Sequence, residues 1–163
     1  MQTLKNLLIR PLRPVHNSLV IAVLVVALIG FADASYLAIE HYEGVTPPCS
    51  LVSGCEKVLS SSYSEVLGIP VSLPGAFFYI LVAAGVLAYL EGKHEKLLRY
   101  ALLMTVFGLL ASIWFVVLQV FVIHAYCLYC MGSAATSTIL FILACVIFKK
   151  YRAQDIADAP FIQ

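Results

Sequence analysis

Charge is what this sequence has least of. Only 12% of its 163 residues are charged and 62% are apolar, where an ordinary soluble domain carries about 25% charged residues. That excludes a water-soluble globular domain. Lys plus Arg number 10 and Asp plus Glu number 9, so there is no basic excess to grip a nucleic acid and no acidic bulk to keep the chain disordered. Internal repeats and low-complexity tracts are missing as well. The first apolar run is too long for a signal-peptide h-region and no small-residue cleavage pattern follows it, so it reads as a permanent span.

What is present is apolar and segregated. Four long runs, Ser18–Ile39, Leu73–Leu90, Tyr100–Ile123 and Met131–Phe148, make up about half the chain, and only Asp33 brings a charge inside one. A charge in hydrocarbon costs several kcal/mol, so this exclusion is a membrane signature. At 1.5 Å per residue each run spans roughly 27–36 Å, against a hydrocarbon core of about 30 Å. The expectation is an all-α integral membrane protein of four transmembrane helices over residues 1–150, with an outer loop at 40–72 and a cytoplasmic tail at 151–163.

Positive charges orient it. Lys5, Arg10 and Arg13 precede the first span, Lys93, Lys96 and Arg99 lie between the second and third, and Lys149, Lys150 and Arg152 follow the fourth; the other two connections hold only Lys57. The positive-inside rule then puts both termini in the cytoplasm and the other connections outside the cell membrane. Cys49, Cys55, Cys127 and Cys130 fall on that oxidising side, where disulfides persist. Cys145, some 15 residues or roughly 22 Å along the fourth span from Cys130, is too far for a bond and reads as small apolar filler.

In the outer loop, Pro47 and Pro48 make a non-helical entry. The run from Cys55 to Leu67 spaces Cys55, Val58, Leu59, Tyr63 and Val66 as one face of a short amphipathic helix, stopped by Gly68 and Pro70. Its apolar side needs a surface, and the outer end of the bundle is the nearest, so the loop is expected to be a lid. Cys127-Leu-Tyr-Cys130 opens the fourth span, and a C-x-x-C at a helix N-terminus is a redox signal because free amides and the helix dipole stabilise a thiolate. Cys130 lies about 4.5 Å deeper than Cys127. Depth suggests that Cys127 faces water and another thiol, and that Cys130 faces a lipid-soluble electron acceptor.

Two cysteine pairs suggest a thiol–disulfide relay. Loop-closure entropy gives about 2 kcal/mol for a Cys49–Cys55 bond and about 4 kcal/mol for Cys55–Cys127, so neither pairing dominates. A structural loop disulfide in a non-catalytic tetraspan protein leaves the C-x-x-C idle. A four-cysteine zinc site fits the loose Cys49-to-Cys55 spacing badly, and no metal is assigned. Asp33 either helps deliver protons or bonds a neighbouring helix. His124, if protonated, would favour the Cys127 thiolate; its plainer reading is an interfacial histidine. Phe77, Phe78, Trp114, Tyr126, Tyr129 and Gln119 are candidates for a pocket wall, with core or aromatic belt as the plain alternative for the rings.

In these residues the sequence resembles the vitamin K epoxide reductase family. The resemblance rests on Cys49 and Cys55, the run Cys55-Glu-Lys-Val-Leu-Ser-Ser61, the entry Val71-Ser-Leu-Pro-Gly-Ala-Phe-Phe-Tyr79 and the C-x-x-C opening the last helix. It implies a four-helix bundle around a quinone, capped by the loop and its short helix. By that resemblance Cys49 meets a thioredoxin-like partner, Cys55 exchanges with Cys127, and Cys130 passes electrons to the quinone. Leu59, Ser60 and Ser61 would lie near the quinone ring. Ala134 stands where animal members have a tyrosine, and Val71 or Ser72 where they have an asparagine, which favours ubiquinone or menaquinone over vitamin K epoxide. The thioredoxin-like domain fused to some bacterial members is not in this sequence, so the expected partner is a separate, DsbA-like secreted-side protein, with membrane lipid as the surroundings.

Overall fold

The computed structural model describes residues 17–45, 47, 54–92 and 94–157, with side chains through residue 150. Each apolar run is helical: α1 covers Asn17–Glu43, α3 Ser72–Gly92, α4 Glu95–Val117 and α5 Leu128–Ala157. The last turn of α4 widens into π-helix over Leu118–Ile123. Among the described residues four segments are long and apolar enough to cross a membrane, Asn17–Glu43, Ser72–Gly92, Glu95–Ile123 and Leu128–Lys150. The chain is an all-α, four-helix membrane bundle.

Its helices pack as a ring, with α1 against α3, α3 against α4, α4 against α5 and α5 back against α1. Short connections between Gly92 and Glu95 and at 124–127 force reversals, so residues 44–45, 54–71 and 124–127 gather at one end, called here the loop end. Each helix contributes one buried stripe: Val20, Val23, Ala27 and Ala34 from α1, Tyr79, Val82, Val86 and Tyr89 from α3, Leu98 and Leu102 from α4, Leu140, Ala144 and Ile147 from α5. These recur at the three- and four-residue steps of a helical face. The opposite faces are apolar too and stay exposed, as at Ile29, Leu110 and Ile113, which suits lipid rather than water. A Cβ on Gly30 would collide with the Tyr79 ring; glycine there lets α1 approach α3.

One polar knot crosses this core. The Tyr79 hydroxyl lies 2.8 Å from the Ser133 carbonyl oxygen, 2.8 Å from Thr136 Oγ1, 2.9 Å from Ser137 Oγ and 3.1 Å from Ser133 Oγ. With one proton and two lone pairs it donates once and accepts from at most two of these hydroxyls, while Thr136 Oγ1 donates to the Ser133 carbonyl at 2.9 Å, so the knot ties α3 to α5 where water is excluded.

The lid differs from expectation. The helix begins at Cys55 as predicted but ends at Leu59 rather than running to Leu67, giving a five-residue α2. Three serines end it. Ser60, Ser61 and Ser64 donate their hydroxyls to the carbonyls of Glu56, Val58 and Ser61 at 2.6, 2.7 and 2.8 Å, offering the backbone local partners in place of a helix ladder. The chain then forms a hairpin of β1 (Glu65–Val66) and β2 (Ile69–Pro70). Its two-residue turn, Leu67 and Gly68, has φ of 56° and 78°, the left-handed pair that tight hairpins need. His41 Nε2 lies 3.1 Å from Glu65 Oε1 and ties the hairpin to the end of α1.

Candidate active site

The loop end assembles sulfur. Cys55 and Cys127, 2% and 0% exposed, share one buried cluster with Val58, Ile123 and Ala125, and Cys130, Leu59 and Tyr129 pack against it. Cys55 opens α2, and the residue before it explains how it gets there. A Cβ on Gly54 would sit 2.7 Å from the Tyr126 carbonyl oxygen and 2.8 Å from its nitrogen. Glycine at 54 thus lets the lid lie directly on the backbone leading into Cys127. Cys55 is disulfide-bonded, whereas Cys127, Cys130 and Cys145 are free. Cys49 lies outside the described residues.

Cys127 precedes the first residue of α5 and acts as its N-cap. Its sulfur accepts the Cys130 N–H at 3.5 Å, as a serine oxygen would at this position. The Cys130 thiol, donating to that sulfur, is the largest influence pulling the Cys127 thiol down to about 7. The amides of Cys130 and Tyr129 add to it, while burial and the Asp33 carboxylate oppose it. Cys127 is therefore an activated thiol. The expectation that it faces water does not hold. The lid buries it completely, so within the fold the loop cysteine is its neighbour.

Cys127 is held from behind by Gln119, a side chain the sequence singled out only with caution. Gln119 Oε1 accepts the Cys127 N–H at 2.9 Å, and its own carbonyl accepts the Ala125 N–H at 3.2 Å. The π-helical turn makes this possible, because one wider turn carries the chain to His124, whose φ of 51° reverses its direction. π-turns concentrate at functional sites. His124 itself is not among the groups acting on Cys127.

Below the lid a cavity of about 770 Å³ descends into the bundle, and Cys130 stands in its wall. Leu59, Ser60, Ser61, Phe78 and Ala134 line it. Phe77 and Trp114 do not. They are 64% and 62% exposed on outward faces, and their chain neighbours Phe78 and Phe115 take the wall positions. Adjacent residues on a helix point about 100° apart, so only one of each pair can face inward. Phe107, Ser133 and Ser137 complete the wall on the α4 and α5 sides.

A quinone fits these residues. The cavity lies within the roughly 300–1,000 Å³ of small-molecule sites, apolar with a few polar groups. A sulfur stands in its wall, and Ser61 and the hydroxyl knot would offer polar contacts to ring oxygens. Asp33, inside the first span, has a buried Oδ2 without a hydrogen-bond partner among the described residues, and its charge acts on both Cys127 and Cys130.

A four-helix membrane bundle that gathers a bonded loop cysteine, an activated C-x-x-C and an apolar cavity at one end defines a membrane oxidoreductase. The family model for the vitamin K epoxide reductase family matches residues 21–145, and the chain belongs to that family. Its members couple thiols and disulfides to quinones in the membrane. No curated protein matches the chain.

Proposed function

We propose that the chain is a thiol:quinone oxidoreductase that generates disulfides, taking electrons from a separate thioredoxin-like protein on the extracytoplasmic side. One observation carries this reading: Cys55 and Cys127 are buried in one cluster while Cys130, one helical turn on, lines the cavity. The Lys and Arg distribution supports a cytoplasmic location for both termini and the 151–163 tail, with the membrane domain over 1–150 and the loop end outside. Leu59, Ser60, Ser61, Phe78 and Ala134 are the proposed quinone contacts.

A bound quinone supplies an acceptor for two electrons and two protons. The residues deliver them in order. A partner thiolate attacks Cys49 in a Cys49–Cys55 disulfide and releases Cys55 as thiolate; the partner's second thiol resolves the mixed bond and closes the partner's own disulfide. Cys55 then attacks Cys127 in a Cys127–Cys130 disulfide, and Cys49 resolves it, leaving Cys127 and Cys130 reduced. When that bond closes again, two electrons leave through Cys130 and the two thiol protons leave with them. Cys55 bonded, with Cys127 and Cys130 free, corresponds to the stage at which electrons have reached the inner pair. Full burial of Cys127 favours a relay, since Cys55 is inside the lid already.

The test is a single turnover. Fully reduced protein is mixed with a short-chain ubiquinone or menaquinone and quinol is measured. Cys130→Ser is expected to reduce quinol formation to background; an undiminished yield would remove Cys130 as the terminal donor and the reading with it.

A further inference from the structure

Gln119 is 2% exposed and sits where the two halves of the reaction meet, yet no step above uses it. Its carboxamide has fixed polarity. Oε1 must accept, because the Cys127 N–H at 2.9 Å can only donate, so Nε2 carries two protons. One of them reaches the Phe115 carbonyl at a long 3.4 Å. The other has no partner among the described residues. A buried N–H without a partner is costly, and Gln119 belongs to the wall of the cavity that Cys130 also lines.

A leucine or methionine would fill the same volume in an apolar bundle without that cost. From this geometry we infer that Gln119 is a two-handed positioning residue, its carbonyl fixing Cys127 as the N-cap of α5 and its NH₂ group donating to a carbonyl oxygen of the quinone. The inference rests on the quinone reading and deepens it. It selects for ligands that present a carbonyl acceptor to the α4 wall beside Cys130. The same side chain also sets the Cys127 backbone, on which the amides of Tyr129 and Cys130 depend for their aim at the sulfur. A ligand bonded to one hand therefore steadies the thiol held by the other. The charged or titratable groups acting on that thiol are Cys130 and Asp33, and neither is altered by changing Gln119.

The experiment uses the whole chain in detergent, with Gln119→Met, which keeps the volume and removes both hydrogen bonds, and Gln119→Asn, which keeps the amide but is one methylene too short to span both partners. Two quantities are read in each. The first is the apparent Kd for a short-chain ubiquinone, from the concentration dependence of single-turnover quinol formation. It is expected to rise about tenfold, the scale of one lost hydrogen bond. The second is the midpoint of the Cys127 thiolate, from ultraviolet absorbance with a Cys127→Ser subtraction, in the absence of quinone. It is expected to move up from about 7. A variant that melts as a folded protein and leaves either quantity at the wild-type value overturns the assignment. If the wild type itself turns over no quinone, the functional reading fails and takes the NH₂ assignment with it; wild-type turnover with unchanged variants overturns this inference alone.

Discussion

Replacing Gly54 with alanine puts one methyl group between the two halves of the relay. The added Cβ would lie 2.7 and 2.8 Å from the Tyr126 carbonyl oxygen and nitrogen, and 3.2 Å from the Ala125 Cβ. Contact is comfortable only from about 3.5 Å, so the lid must withdraw by roughly 0.8 Å. The obstacles are mostly backbone and cannot swing aside. Gly54 has φ −108° and ψ −3°, a conformation alanine adopts without strain, so the effect is steric. Overpacking of this kind costs about 1–3 kcal/mol, small enough to leave a folded protein. The rate is more sensitive, because a displacement near 1 Å at a reacting pair costs on the order of 10²-fold. Quinone reduction driven by reduced thioredoxin, used as a protein dithiol donor, is therefore expected to slow about 10²-fold. Single-turnover quinol formation by the fully reduced variant should stay near the wild-type rate, since that step needs only Cys127, Cys130 and the cavity. Wild-type speed with thioredoxin in a folded Gly54→Ala protein would refute the claim that the lid sets the Cys55 to Cys127 approach.

Three further predictions concern the inner pair and the cavity. The Cys127 thiol is held below the ordinary thiol range, at about 7, so the thiolate predominates above that pH and is lost tenfold per unit below it; single-turnover quinol formation should fall with the same slope as pH is lowered from 7 to 5, and Cys130→Ala, by removing the main stabilising hydrogen bond, should move the ultraviolet thiolate midpoint upward. Phe78→Ala and Phe115→Ala are expected to raise the apparent quinone Kd about tenfold or more, while Phe77→Ala and Trp114→Ala, on the lipid side, should change it less than about twofold. Tyr79→Phe removes the partner of the Ser133 and Ser137 hydroxyls and should lower stability by about 1–3 kcal/mol, read as a drop in melting temperature.

The four helices were legible because hydrocarbon tolerates almost no charge, so Asp33 stands alone among four long runs and the loops collect the rest. The position of the C-x-x-C was legible as well: it lies at a helix start because Leu128 begins α5. The facing of the aromatic side chains was not. In a soluble helix polarity marks the outward side, but here both sides are apolar, so Phe77 and Phe78, or Trp114 and Phe115, look alike until packing separates them. The lid was half legible. Apolar spacing continues to Val66, yet serine hydroxyls capture the carbonyls at Glu56, Val58 and Ser61 and end α2 at Leu59. Leu67-Gly68 then turns a hairpin where Gly68 reads equally well as a helix stop. The π-turn that delivers Gln119 to Cys127 left no signal, since six apolar-rich residues from Leu118 to Ile123 suit an α-turn just as well. Burial of Cys127 also depended on a partner surface, the lid, whose seat is set by the missing side chain of Gly54.

The central claim is that a loop sulfur reaches the buried sulfur of the C-x-x-C, and it is tested most directly by leaving those two alone. In the full-length Cys49→Ala, Cys130→Ala double variant, mild oxidation with diamide followed by peptide mass spectrometry should find Cys55 bonded to Cys127 in most molecules. Recovery of Cys55 and Cys127 as unlinked thiols from folded protein would contradict it.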